Sequence, residues 1–408
     1  MSTSEERPLR ILAADDSAVM RSILWKLFLL QKEDRSSDLP RMELCGIARD
    51  GVECLEQVKQ VRPDVLVLDL EMPRLNGLEV LDRLHLENSE LPVIMCSAYT
   101  EHGARSTLEA LARGASDYVT KPAGQRDFDA AMQSLSQQLL PRIAALAKNA
   151  RGEEKKAGRS PSSNSLQNAR PEEIASKASS PIEVIVIGLS TGGPSALEQL
   201  LPKLPKDFPV PVLIVQHMPK LFTGALAERL DKCCALRVEQ AYDNATIRPG
   251  TVWLAPGDAH MEIAPRRLMS AEDRGAAGFS SRVRLHQQVP LNHCMPSVDY
   301  LFFSAARMYG AGTLALVMTG MGADGLNGAR AVHQSGGVVL AQDEASSAVW
   351  GMPGRVSEAG IASATLPLWG IASALKQRVS EGRPARSGAL ASAASAIAPR
   401  REMTHGLL

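Results

Sequence analysis

The sequence predicts an α/β protein: two doubly wound parallel-sheet domains joined by a flexible linker. Three observations carry that prediction. Short, continuous apolar runs alternate with helix-length segments in two separate blocks, the pattern of parallel strands buried on both faces. A long polar segment divides the blocks. Reactive side chains stand directly after several of the apolar runs, and strand tips are where open α/β sheets carry their chemistry.

The first block spans about 8–148. Strand Leu9–Ala14 precedes a helix across Val19–Leu30, and a strand near Glu43–Ala48 precedes a helix with Val52, Leu55 and Val58 on one face. Strand Val65–Asp69 follows, then a helix from Leu78, strand Val93–Ser97 and a helix near Ala104–Arg113. Strand Asp117–Thr120 and a helix after Asp127 complete five βα units, which fit a flavodoxin-like sheet. Residues 149–181 contain almost no large apolar side chains and are expected to form a flexible linker, since such a segment cannot offset its ordering entropy. The second block, 182–381, repeats the α/β pattern with strands at Val184–Gly188, Val212–Gln216, Val252–Ala255, Leu314–Thr319 and Val338–Gln342. The Ala/Ser-rich stretch 382–408 is expected to be a disordered tail.

Composition narrows the function. With 408 residues, two or three domains are expected. A formal net charge of zero gives no global argument for nucleic-acid binding, and no apolar stretch reaches membrane-spanning length. The six cysteines form no C-x-x-C pair, which indicates a reducing compartment; with a polar, acidic N-terminus, the expected location is the cytoplasm.

In the first block, Asp15 and Asp16 follow the first strand and Asp69 ends the third. Three converging carboxylates repel one another unless a cation joins them, and dense hard oxygen ligands suit Mg²⁺. Asp69 can then attack a phosphoryl group as a nucleophile. Lys121 supplies a compact positive charge and Ser97 a hydroxyl at neighbouring tips. Each feature alone has a plainer reading, such as a helix cap or a turn. Together, the order D-D…D-x-x-M-P-x-x-x-G…S-A…K-P resembles the receiver domain of two-component response regulators. That resemblance implies that Asp69 is the phosphoacceptor and that Asp15, Asp16, Asp69 and the Glu71 backbone carbonyl hold Mg²⁺. It also implies that Ser97, Tyr118 and Lys121 are the switch residues.

In the second block, Ser190 stands at a strand-to-helix turn in Gly188-Leu189-Ser190-Thr191-Gly192, a match to the G-x-S-x-G nucleophile elbow. Taken alone, this motif is more often a phosphate-binding or inert glycine turn. His217 follows a strand directly and is placed to act as general base. Asp324, delivered by a glycine-rich turn, is the leading carboxylate partner; Asp299 competes but has a helix-capping explanation, and Asp258 and Asp343 are weaker. The order Ser…His…Asp differs from that of α/β-hydrolases.

The motifs Ser190-Thr191-Gly192-Gly193, Gln216-His217-Met218-Pro219, Ala255–His260, Pro296–Asp299, Thr319–Gly325 and Gly351-Met352-Pro353 resemble the chemotaxis response-regulator methylesterases, the CheB family of protein-glutamate methylesterases. The resemblance implies a receiver domain followed by a Rossmann-like methylesterase domain with the triad Ser190, His217 and Asp324. The Met321 backbone amide is its implied oxyanion donor, and no cofactor is implied in that domain. Implied substrates are methylated glutamates, and glutamines, of methyl-accepting chemoreceptors, and the implied phosphodonor is a chemotaxis histidine kinase. Neither nucleic acid nor membrane insertion is implied. Leu189 and Ser347 depart from the family, which favours a smaller residue and often a cysteine there. Two other readings are a transcription factor, disfavoured by the lack of a basic stripe or helix-turn-helix module, and a general serine esterase, distinguished by turnover of small soluble esters.

Overall fold

A computed structural model describes residues 7–33, 39–87, 89–122, 127–157, 180–265 and 281–381. The N-terminal sheet contains β1 (Leu9–Ala14), β2 (Met42–Ala48), β3 (Val65–Asp69), β4 (Val93–Ser97) and β5 (Asp117–Thr120), in the order β2-β1-β3-β4-β5. Every pairing is parallel. The connecting helices are α1 (Ala18–Glu33), α2 (Gly51–Val61), α3 (Gly77–Leu86), α4 (Glu101–Ala112) and α5 (Phe128–Ala157). This is the expected flavodoxin-like order, in which Asp15, Asp69, Ser97 and Lys121 emerge along one edge.

Alternating strand residues explain the layers. Ile11, Val65, Val67 and Ile94 pack with α1 and α5, while Leu12, Leu66, Leu68 and Met95 face α2, α3 and α4. Helix α5 corrects the linker expectation: it runs to Ala157, past Asn149. Gly152-Glu153-Glu154-Lys155-Lys156-Ala157 lacks large apolar side chains but consists mainly of good helix formers, so polarity there did not mean irregular backbone. The rest of that segment to residue 179, and the tail from 382, lie outside the described residues.

The C-terminal sheet has seven parallel strands in the order β14-β13-β12-β6-β7-β9-β8. They are β6 (Val184–Leu189), β7 (Val212–Gln216), β8 (Arg237–Gln240), β9 (Thr251–Leu254), β12 (Thr313–Val317), β13 (Val338–Gln342) and β14 (Ala364–Leu366). An antiparallel ribbon, β10 (His260–Pro265) with β11 (Ser281–His286), packs beside α8 (Val298–Tyr309). The remaining helices are α6 (Gly193–Leu200), α7 (Lys220–Cys233), α9 (Leu326–Gln334), α10 (Met352–Glu358) and α11 (Leu368–Ser380). The chain leaves β6 toward β7 on one side and returns through β12 on the other. The crevice at this switch is where doubly wound sheets bind ligands.

The two sheets share one hydrophobic cluster. It runs from Leu84, Leu108 and Tyr118 of the N-terminal domain to Leu197, Phe222 and Leu226 of the C-terminal domain, through packing of α4 against α6 and α7. Strands β8, β10, β11 and β14 have no counterpart in the sequence reading. Arg237-Val238-Glu239-Gln240 and Ala364-Thr365-Leu366 are too short and too polar to stand out as apolar runs, although the register of the neighbouring strand holds each in the sheet.

Candidate active site

Ser190, His217 and Asp324 all emerge at the carboxyl ends of the central strands. In the β6–β7 register Leu189 pairs with Gln216, and the His217 N–H donates to the Leu189 carbonyl at 3.1 Å. Ser190 and His217 are therefore the next residues on neighbouring tips. On the other side of β6, the Ser190 N–H donates to the Thr319 carbonyl at 3.0 Å, just past β12. The turn after Ser190 needs glycine. Gly192 has φ +76°, and a Cβ there would lie 2.5 Å from Ala348 Cβ. Gly320 gives Ser190 its room, since a Cβ there would lie 2.8 Å from Ser190 Cβ.

The imidazole and the carboxylate meet. His217 Nε2 and Asp324 Oδ2 are 2.8 Å apart. Because β6 lies between β7 and β12, this bond bridges the tip that carries Ser190. The other ring nitrogen, Nδ1, lies 3.8 Å from Cys294 Sγ, so two of the three residues singled out in the sequence are joined here and Ser190 stands on the tip alongside.

Asp324 is 2% exposed, and its charge is held by donors. Ser297 Oγ donates to Oδ1 at 2.8 Å, the Val298 N–H to Oδ2 at 2.7 Å, and Asn292 Nδ2 to Oδ1 at 3.1 Å. Val298 and Asp299 open α8, so the carboxylate caps that helix and feels its positive end. Burial alone would raise its pKa; the bonds from His217, Val298 and Ser297 outweigh burial and hold it below the ordinary carboxylate value. His217 is shifted the other way. Burial favours the neutral ring, but the bonds to Asp324 and Cys294 push it up to about 9.

Asp299 has a different role from the capping of its own helix. Its Oδ1 accepts from the Gly328 N–H at 2.7 Å, in the first turn of α9, and its Oδ2 accepts from Asn292 at 3.1 Å. The two carboxylates thus cap each other's neighbouring helices. Asp258 pairs with Lys220 on the surface and Asp343 bonds Ser346; neither approaches His217. Sequence reasoning gave no role to Asn292, Cys294 or Ser297 (the last within a quoted motif), which lie on an irregular loop and gain meaning only from the carboxylates it approaches. Gln216 stood in a quoted motif but was given no role; its Nε2 donates to the Ser190 carbonyl at 2.8 Å, and a buried glutamine ending an apolar strand was the available signal. The Met321 side chain packs against the N-terminal core cluster, while its backbone sits in the Gly320–Gly325 turn beside Ser190.

In the N-terminal domain Asp15, Asp16 and Asp69 bring their carboxylate oxygens within 4.8 Å of one another. Lys121 Nζ lies 2.9 Å from Asp15 Oδ2 and 2.8 Å from Asp69 Oδ2. Burial and the adjacent Asp15 push Asp69 up to about 6 against the pull of Lys121. Burial opposes the Lys121 charge, yet Asp69 and Asp15 hold its pKa above the ordinary lysine value. Asp15 Oδ2 is buried without a well-formed hydrogen bond. Three converging carboxylates that repel one another fit a hard divalent cation. Ser97 is fully buried and donates to the Gly103 carbonyl at 3.2 Å, turned toward α4; the Glu71 side chain is exposed, 3.8 Å from His102.

The two sites are mechanically connected. Tyr118 stacks on Phe222 with centroids 4.7 Å apart, and burial raises the pKa of its phenol. Beside it, Asp117 Oδ2 accepts from Thr191 Oγ1 at 2.7 Å and lies 3.1 Å from Arg142 Nε. Thr191 is the residue after Ser190. A cleft of about 320 Å³ runs between the domains, lined by Tyr118, Gln138 and Arg142 on one side and His217, Cys294 and Met295 on the other.

Replacing Asp324 with Asn would remove the charge that sustains the His217 imidazolium, so its pKa should fall from about 9 to the ordinary histidine value or below. An NMR titration of the ring measures this directly. The linkage sign follows. A raised histidine pKa stabilises the fold fully at acid pH below the unfolded value, and that contribution is lost as pH rises through about 9.

Comparisons with known proteins agree with this architecture. Residues 185–375 match the CheB methylesterase family, and residues 11–133 match the response regulator receiver domain. A protein of Trichodesmium erythraeum (strain IMS101), named protein-glutamate methylesterase/protein-glutamine glutaminase, is 40% identical over 370 residues, covering 91% of this chain and 99% of that protein. One of the same name from Nocardioides sp. (strain ATCC BAA-499 / JS614) is 41% identical over 379 residues, covering 92% and 97%. The Thermotoga maritima protein of that name is 37% identical over 366 residues, covering 90% and 97%. With its acid pocket on one sheet and its serine, histidine and aspartate tips on the other, the chain belongs to the CheB family of response-regulator methylesterases.

Proposed function

We propose that this chain is a phosphorylation-activated serine hydrolase that demethylates glutamate methyl esters, and deamidates glutamines, on the cytoplasmic helices of chemoreceptors. The observation that carries the reading is the His217–Asp324 bond lying across the Ser190 tip, under a receiver domain that reaches the residue next to Ser190. In this reading Ser190 attacks the ester carbonyl, and the His217 nitrogen turned away from Asp324 takes its proton. Asp324 orients the ring and stabilises the imidazolium. The Met321 N–H meets the developing oxyanion. His217 returns the proton to methanol, or to ammonia when glutamine is the substrate, and water releases the acyl group. Only a neutral ring accepts the serine proton, so the rate climbs with pH through the His217 ionisation.

Regulation follows from the interface. Asp15, Asp16, Asp69 and the Glu71 carbonyl would hold Mg²⁺, which offsets repulsion between Asp69 and an incoming phosphoryl group from a histidine kinase. A phosphate on Asp69 competes for Lys121, draws Ser97 from the Gly103 carbonyl and gives Tyr118 a reason to leave Phe222. Loss of that stack, together with the Thr191–Asp117 bond, uncovers the cleft to a receptor helix. No helix among the described residues is long and apolar enough to cross a membrane, which accords with an enzyme that meets receptors from the cytoplasm.

Ser190→Ala should reduce methanol release from methylated receptor membranes by at least about 10³-fold; retained activity would remove Ser190 as nucleophile. Asp69→Asn should abolish stimulation by a small phosphodonor and spare basal hydrolysis, read in the same assay. Asp117→Asn, which weakens the bonds to Thr191 and Arg142, should raise the unphosphorylated rate by about fivefold, the population shift that roughly 1 kcal/mol of interface stability provides. An unchanged rate in that variant would count against the receiver as a lid.

A further inference from the structure

We infer that His217 and Cys294 form a chelating site for a thiophilic divalent metal, with Zn²⁺ as the natural occupant, and that occupancy silences the hydrolase by taking the general-base nitrogen. His217 presents two different nitrogens. Nε2 is committed to Asp324 at 2.8 Å, while Nδ1 faces Cys294 Sγ at 3.8 Å. Tetrahedral Zn²⁺ with Zn–N of about 2.0–2.1 Å and Zn–S of about 2.3 Å sets the two donors about 3.6 Å apart. The observed spacing is within a small side-chain adjustment of that value. A neutral, metal-ligating histidine also characteristically donates its other N–H to a carboxylate, which fixes the ring and increases its basicity. Asp324 is such a partner, already in place and held by its own donors.

The thiol is presented by a constrained loop. Asn292 and His293 both adopt left-handed backbone, with φ 52° and 60°, and Asn292 Nδ2 ties the loop to the Asp299 and Asp324 carboxylates. The Cys294 N–H donates to the Leu291 carbonyl at 2.9 Å, closing the turn. Imidazole, thiol and carboxylate atoms of His217, Cys294 and Asp324 lie within 4.8 Å of one another at the wall of an open cleft, where solvent completes the coordination. Binding would release the thiol proton and, from the imidazolium, the Nδ1 proton to solvent and form bonds from the metal to Sγ and Nδ1; nothing is oxidised or reduced. Soft and borderline metals separate this site from the all-oxygen pocket around Asp69.

Metal binding stands independently of the methylesterase reading, whereas the inhibition rests on it. The test uses the full chain carrying Cys233→Ser and Cys234→Ser, because that adjacent pair, with sulfurs 3.9 Å apart, would itself bind thiophilic metal. Co²⁺ titration of the metal-free protein should give a thiolate-to-cobalt charge-transfer band that saturates at one equivalent, is bleached by Zn²⁺, and is lost in both Cys294→Ser and His217→Gln. Methanol release should be inhibited by Zn²⁺, with the inhibitory concentration raised at least about tenfold in Cys294→Ser relative to its parent. Absence of the band, or equal Zn²⁺ sensitivity with and without the Cys294 thiol, overturns the site. A chain that shows the band but never releases methanol keeps the metal site and loses the esterase reading.

Discussion

The buried charge of Asp324 is the constraint around which the catalytic end of this molecule is arranged. An ionised carboxylate at 2% exposure survives only with donors on its oxygens. Here the donors are the opening N–H groups of α8, the Ser297 hydroxyl, the Asn292 amide and the His217 ring. The same bonds fix α8 against the turn after β12, and Asp299 returns the arrangement by capping α9. Two helix starts, a loop and an imidazole are thereby placed by a pair of carboxylates. The charge that orients the histidine is also part of what holds the second domain's working edge together.

That edge is coupled to the first domain by a short chain of contacts. Asp69 pairs with Lys121 just past β5, and Asp117 and Tyr118 at the start of the same strand contact Thr191 and Phe222. Tyr118 is buried by the second domain and not by its own sheet alone, so its position reports whether the domains are packed. Ser97 is turned to the Gly103 carbonyl and Tyr118 is stacked on Phe222. The interface buries an aromatic stack and a carboxylate–hydroxyl bond within a continuous apolar cluster, a combination that tolerates two discrete states better than gradual sliding.

Much of the site was legible in the chain because parallel α/β sheets make tip residues predictable. Asp69 after Val65-Leu66-Val67-Leu68, Ser190 after Ile187-Gly188-Leu189 and His217 after Gln216 each follow an apolar run, and strand register does the rest. The polar stretch at Gly152–Ala157 misled for the opposite reason: composition measures the capacity to bury, whereas helix formation there follows from a run of good helix formers. Short strands such as β8 and β14 were illegible because their order comes from a neighbour's hydrogen bonds and not from their own pattern.

The sequence by itself determined the two sheets, the acid cluster, the serine turn and the residues that could serve as base and acid, since periodicity and motif spacing are local properties. Only the tertiary structure showed why Asp324, which the sequence already favoured over Asp299, is the partner of His217: Asp324 bonds the ring, while Asp299 is turned to the Gly328 N–H at the start of α9. It also alone put Cys294 beside the second ring nitrogen and Asp117 beside Thr191. Those contacts join residues far apart in the chain. Their distances are set by how loops and domains pack, which no local pattern encodes.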